Sequence, residues 1–351
     1  MYSYSEKYKL QNDIAKKELI KVLKKKKLSK DKYSRCCKEL DILYEESTLF
    51  IIYLLYKYHY ECSYFKYYFR GMYNSFLILY ELGISDVDPI KYNLHFELVR
   101  NCSHSLEFDI VDHIKNAFLF YMLKDRELEF SIVKGGFMED DKDFALYCDD
   151  HYLLLPYSYS NSNRGINDLV FRFNKDNMFE TIQDYRDYRE KYLTIRIGSK
   201  NRINSKEVTY KNILSSELEL ELERKLKPET MEEYAKIKSI CAGVDVWNYN
   251  QEELFDNGLI NINNLISCRE DIFEYLIDHN IDENTAIEII NIIRKGQQQF
   301  KQDKWKEYTE LMLSHNCEEM YIDIFSKIKY IFSRGQAISE CLFALNKDNY
   351  N

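Results

Sequence analysis

The sequence predicts an α+β fold, mostly helical with a central β-sheet, and three observations carry that prediction. Near the start, Leu10, Ile14, Leu19, Ile20 and Leu23, then Leu40, Leu43 and Leu49, recur at helical spacing. Between 106 and 198 the texture changes to short apolar runs of strand length, "LEFDIV", "LEFSIV", "FALYC", "YLLLPY", "DLVFRF" and "YLTIRI". From about 211 the helical pattern returns, broken only at "CAGVD", "DNGLININ" and "SRGQ". Helices, then strands, then helices make an α+β order.

Each element has a local reason. The first helical stretch covers 5–60 and ends in "LFIIYLLY" (49–56), which is too short to cross a bilayer and is followed by Lys57, so it reads as buried core. Gly135-Gly136 and "SYSNSNRG" supply turns between the strand-like runs. "ELELELER" (217–224) alternates, yet it lies in the helical region and reads as a solvated helix face.

Composition narrows the class. The chain has 351 residues, 45% hydrophobic and 30% charged, which suits a globular protein. A net charge of −9 excludes a protein that coats nucleic acid with its whole surface, and leaves local basic patches as the only electrostatic route. "MYSYSEKYKLQND" lacks the apolar core of a secretory leader. The nine cysteines show no metal-knuckle spacing and no even framework, so the expected place is the reducing cytoplasm, away from any membrane.

Several blocks then resemble one family. "FRGMYNSFLILYELGISDVDPIKYNLHFE" (69–97) resembles the palm of bacterial DNA polymerase III alpha subunits, where an RGS loop leads into an LGIT-D-DP turn. "ICAGVDVWNYNQEELFDNG" (240–258), "SCREDIFEYLID" (267–278), "IIRKG" (292–296) and "YIDIFSKIKYIFSRGQA" (321–337) look like the PolC type. The resemblance implies a central mixed sheet of the polymerase-beta-like nucleotidyltransferase palm over 1–200, followed by a helical fingers-like region over 201–351.

Phosphoryl transfer on such a palm needs carboxylates that hold Mg²⁺. The family's Asp-x-Asp pair falls on "LEFDIVDHI", where Asp109 is followed by Val111, and Asp112 faces the other side of a strand. The family's third Asp falls on Arg172. Asp109 is therefore a vestigial catalytic candidate, and no metal or other cofactor is expected. Mg²⁺ would matter only if a rearranged site of Glu107, Asp109 and Asp112 made a minimal nucleotidyltransferase. Between Asp112 and Gly135 there is also no room for the family's thumb.

The resemblance leaves remnants of nucleotide and phosphate binding at Arg70, Gly71, Ser75, Gly243, Asp245 and Arg334. Around them the pattern departs: Met72, Tyr73 and Phe76 replace small residues. Cys241, Ala242 and Val244 replace the polar part of Ser-His-Gly-Thr-Asp-Val-Trp, and Ser333-Arg334-Gly335-Gln336 stands for Pro-Lys-Ala-His.

For DNA, "KKELIKVLKKKKLSKDK" (16–32) offers Lys24, Lys25, Lys26 and Lys27 against an equally simple reading as a solvated face. Arg294, Lys295, Lys327 and Lys329 are further candidates. "QEELF" (251–255) matches a loose sliding-clamp peptide, though a structural role is favoured. His104 and His113 near Asp109 lack the acidic surroundings of a metal site. The expected function is a non-catalytic replication protein of a plasmid or phage that binds DNA or replisome components such as the sliding clamp. The alternatives are a minimal DNA polymerase and a decoy inhibitor of the host replisome.

Overall fold

The computed structural model describes residues 4–45, 49, 52–53, 55–57, 67–99, six further strand backbones between 105 and 200, 213–214 and 216–345, with side chains at 12–45, 49, 52–53, 55–57, 69, 71–99, 213–214 and 216–345. These residues divide into two compact units. One comprises the described residues before 90 and the later strand backbones; the other comprises 90–99 and 213–345.

In the first unit, α1 (Tyr4–Lys25) and α2 (Lys30–Glu45) pack through apolar stripes. Leu19, Leu23, Leu40 and Leu43 are buried at the expected spacing, each contributing about 1.5–3 kcal/mol by leaving water. Ile14 of the same predicted stripe is exposed instead, and Ala15 is buried. Lys16 pairs with Asp41 at 2.8 Å and the Tyr44 hydroxyl donates to Asp13 at 2.6 Å, so polar contacts flank the seam.

A short α3 (Leu77–Glu81) has no side chain of its own at its start to accept its first amides. Glu39 of α2 does so from the interior. Its carboxylate accepts from Ile78 N at 2.8 Å and from Arg35 Nε at 2.9 Å, and Arg35 Nη2 donates to Ser75 O at 3.0 Å. Burial pushes the Glu39 carboxyl up, while Arg35 and the amides of Ile78 and Leu77 pull it down. After α3 the chain reverses at Gly83, whose φ of 75° suits glycine. The amides of Ile84 and Ser85 both return to Leu79 O.

The second unit is a helical assembly: α4 (Glu217–Leu226), α5 (Met231–Ala242), α6 (Glu252–Asp256), α7 (Arg269–Asp278), α8 (Glu283–Ile293), α9 (Gln302–Ser314), α10 (Glu319–Lys327) and α11 (Arg334–Leu345). Its helix starts are chemically marked. Ser216 with Glu219 and Thr230 with Glu233 form reciprocal capping boxes, and Asp282 accepts from Thr285 N at 3.1 Å. "ELELELER" is indeed helical: Leu222 is buried, Leu218 and Leu220 are exposed, and the buried Glu219 pairs with Lys238 of α5 at 2.6 Å.

The expected α+β fold around a central mixed sheet is overturned. Among the residues with described side chains, 67% are helical and 2% strand, with no sheet. Strand backbones are traced as β1 (Tyr67–Arg70), β2 (Ser105–Val111), β3 (Phe130–Gly136), β4 (Lys142–Cys148), β5 (His151–Leu155), β6 (Leu169–Phe173) and β7 (Leu193–Lys200), paired in the orders β1-β2-β7-β6 and β3-β4-β5. A sheet organises a fold only where its faces pack against something. Among the described side chains, the apolar core is built by the helices and the segments that join them. Short apolar runs fix strand length but not a packed layer.

Candidate functional site

In the first unit the turn at Gly71–Ser75 belongs to the interior. Gly71 has φ 90° and ψ −176°, a conformation open to glycine alone. The Tyr73 and Phe76 side chains are fully buried, with their rings stacked at 5.4 Å. Asn74 Nδ2 donates to Gly71 O at 3.0 Å, and its Oδ1 accepts from the Ser85 hydroxyl. Ser75 is 2% exposed, and its carbonyl is occupied by Arg35. The bulk that departs from the family pattern therefore fills core. The side chain of Arg70, like those of Glu107, Asp109, Val111 and Arg172, lies outside the described residues, as do His104, Asp112 and His113.

In the second unit three chain segments meet at the C-terminal end of α10. Val244 N donates to Tyr330 O at 2.8 Å, and Lys329 N returns to Val244 O at 3.0 Å. Gly243 eases this approach, since a Cβ there would sit 3.1 Å from Tyr330 O and 2.5 Å from Val246 Cγ2. Asp245, at φ 56°, pairs with Lys329 Nζ at 2.6 Å. Gly296, at φ 58°, brings the "IIRKG" turn against the Lys329 backbone, where a Cβ would stand 2.7 Å from Lys329 O. The fold thus gathers Gly243, Asp245, Lys329 and the turn carrying Arg294 and Lys295. Arg294 Nε donates to Asn291 at 2.8 Å, and Lys327 is held by Asp323 at 2.6 Å.

Arg334 has a different setting. Its Nη1 lies 2.7 Å from Glu274 Oε1 and 3.2 Å from Asn93 O; its Nη2 lies 2.7 Å from Asp271 Oδ1 and 2.8 Å from Glu274 Oε2. Its amide donates to Glu270 Oε2 at 2.8 Å. Asn93 Nδ2 and His95 Nε2 also reach Glu274 Oε1, at 2.7 and 3.3 Å. Asp271 caps α7 as well, accepting from Ser267 N, Ser267 Oγ and Cys268 N. Burial works to raise the Asp271 carboxyl, yet Lys236, Arg334 and the Ser267 bonds hold it far below the usual carboxylate range. Glu274 is likewise lowered against its burial, by His95 and Arg334. A guanidinium whose two amino groups each serve two acceptors is a structural cross-link.

Similarity to known proteins runs in the direction of the motifs. Over 120 residues the chain is 32% identical to the "DNA polymerase III PolC-type" of Lactococcus lactis, and over 119 residues 34% identical to that of Bacillus subtilis and 36% to that of Bacillus cereus. About a third of the chain is PolC-like. Each match covers 34% of this chain but only 7 or 8% of the relative, so the chain spans a small part of the proteins it matches. No protein-family model matches it.

Beyond the PolC-like motifs, Lys24, Lys25, Lys26 and Lys27 at the end of α1 are all exposed, with no carboxylate partner among the described residues. Gln251 of "QEELF" is fully buried. Its amide donates to Val246 O at 2.8 Å and Ile266 O at 2.7 Å and accepts from Ile266 N at 2.9 Å. Among the described residues no group of His, Cys, Asp and Glu is arranged to hold a metal ion, and no helix is long and apolar enough to cross a membrane. Sequence reasoning missed Asp271, Glu274, His95, Asn250 and Gln298. The one available signal was Asp271 and Glu274 sharing a helix face at i, i+3 inside "SCREDIFEYLID".

Proposed function

We propose that this protein is a DNA-replication protein, derived from a PolC-like core and carried by a plasmid or phage, that binds DNA or replisome components in the cytoplasm without polymerising. The observation that supports it best is Arg334. In the PolC-like pattern this position carries a phosphate-facing cation; here its donors are spent on Asp271 and Glu274. An incoming triphosphate would have to displace two carboxylates and then sit beside them, which like-charge repulsion opposes. A cation that the pattern turns toward a ligand thus serves a structural cross-link here. Val111 and Arg172 at carboxylate positions point the same way.

The affinity for DNA comes from patches, with Lys24–Lys27 and the group around Lys295 and Lys329 as the contacts, because the net charge is −9. Primer extension on a primed template, with Mg²⁺ and with Mn²⁺, tests the non-catalytic reading. The expected result is no extension. Template-dependent extension that vanishes in Asp109→Ala would overturn it.

A further inference from the structure

Two loops of the second unit hang on one helix end by buried amides, and each presents an exposed aromatic ring. Asn250 Nδ2 donates to Asp245 O at 2.8 Å and to Ile324 O at 3.1 Å. Gln298 Nε2 donates to Phe325 O and Ile328 O, both at 2.8 Å. Ile324 O, Phe325 O and Ile328 O are carbonyls of the last turn of α10 and the residue that ends it, groups a helix leaves without intrahelical donors. Asn250 and Gln298 are each 5% exposed, so both loops are fixed from the inside.

What the loops carry outward is costly unless used. Tyr249 is 95% exposed and sits at φ 59°, where a bulky residue is strained; Phe300 is 87% exposed. The paired Val244 and Tyr330 are also exposed, at 47% and 38%. The same segments carry Lys295, Lys301 and Lys329, and all three are exposed. Asp245, the carboxylate bound among them, is already paired with Lys329. The exposed rings are interleaved with these cations, and Glu253 and Asp303 are exposed carboxylates on the same segments.

We infer that the Tyr249 and Phe300 loops form a stacking platform for a single-stranded polynucleotide, with bases on the rings and phosphates on Lys295, Lys301 and Lys329. This deepens the DNA-binding reading above and rests on it. A duplex keeps its base faces stacked inside, so it cannot use exposed rings in this way. Tyr249 and Phe300 supply π-faces and no base-edge code, so the site tolerates sequence.

The test is a fluorescence-anisotropy titration of the full chain with labelled oligothymidylate, oligouridylate and a duplex of equal length, over a salt series. The single strands are expected to bind more tightly than the duplex, and the two single-strand arms compare a methylated deoxyribose strand with an unmethylated ribose one. Tyr249→Ala and Phe300→Ala should each weaken single-strand binding about five- to a hundredfold with the salt slope unchanged. Tyr249→Phe should bind like the parent. Lys295→Gln and Lys329→Gln should each flatten the slope by about 0.7. Thermal melting of every variant separates loss of binding from loss of fold. If both alanine variants bind like the parent, the platform is refuted while DNA binding through Lys24–Lys27 stands. If the folded parent binds no polynucleotide, both readings fall. Equal binding of duplex and single strand, or rings that drive self-association in place of oligonucleotide binding, would also overturn the platform.

Discussion

Arg334 Nη2 and Asp271 Oδ1 stand 2.7 Å apart with side chains 15% and 9% exposed, and this pair joins the start of α11 to the start of α7. Removing one member leaves the other charged and dry. Arg334→Met should therefore cost about 3–5 kcal/mol of stability, read by urea denaturation. A loss below about 1 kcal/mol would mean that the pair is hydrated and contributes little.

The same pair sets a pH dependence. Asp271 and Glu274 have folded values below their unfolded ones, so their stabilisation is present above about pH 4 and is lost as pH falls through the folded values. The parent should lose stability on acidification below about pH 4. In Arg334→Met the depressed values relax upward and the loss between about pH 5 and 3 should shrink or reverse. Parallel acid titrations of unfolding free energy for parent and variant check this.

Gly296 has no space for a methyl group. Its Cβ would meet backbone atoms of Lys329 at 2.7 Å, and its φ of 58° disfavours any L side chain. Gly296→Ala should cost about 2 kcal/mol or more, since strain and clash add. Gly258, at φ 69° with nothing within 4 Å of a Cβ, is the control: Gly258→Ala should cost about 1 kcal/mol.

Tyr249 gives the opposite sign. Glycine relieves the left-handed backbone and removes only an exposed ring, so Tyr249→Gly should raise stability by up to about 1 kcal/mol. If the ring serves binding, this variant melts later and binds single strands worse, the usual exchange at a functional position. A variant that melts earlier would show that the ring is packed in solution.

Cys36 and Cys241 are each pushed up to about 12, chiefly by burial, and burial also raises Cys268 well above the usual thiol range. The thiolate is the reactive form. At about pH 8 these three should alkylate with iodoacetamide far more slowly than in urea, as site-resolved mass spectrometry would show.

Much of the helical framework was legible because its cause is local. The spacing of Leu19, Leu23, Leu40 and Leu43 and the breaks around Gly243 and Ser333 depend on near neighbours. The sheet was misjudged because an apolar run shows its own length but not what packs on it. The fate of Arg334 was illegible for another reason. Its partners are Asn93, Asp271 and Glu274, and nothing near "SRGQ" announces them. Nothing in the sequence around Asn250 and Gln298 marks their amides as buried fasteners, which only the fold shows.

Glu39 finally bears on how such a chain is inherited. The amides of Leu77 and Ile78 find their acceptor on another helix, α2, and Arg35 of that helix also holds Ser75 O. A lineage that deleted α2 would strand those amides in a dry interior, at a cost of about 1–3 kcal/mol for each group. Insertions between the two segments leave this bond intact, while loss of either segment does not. α2 and the Ser75–Ile78 turn are therefore a single heritable block.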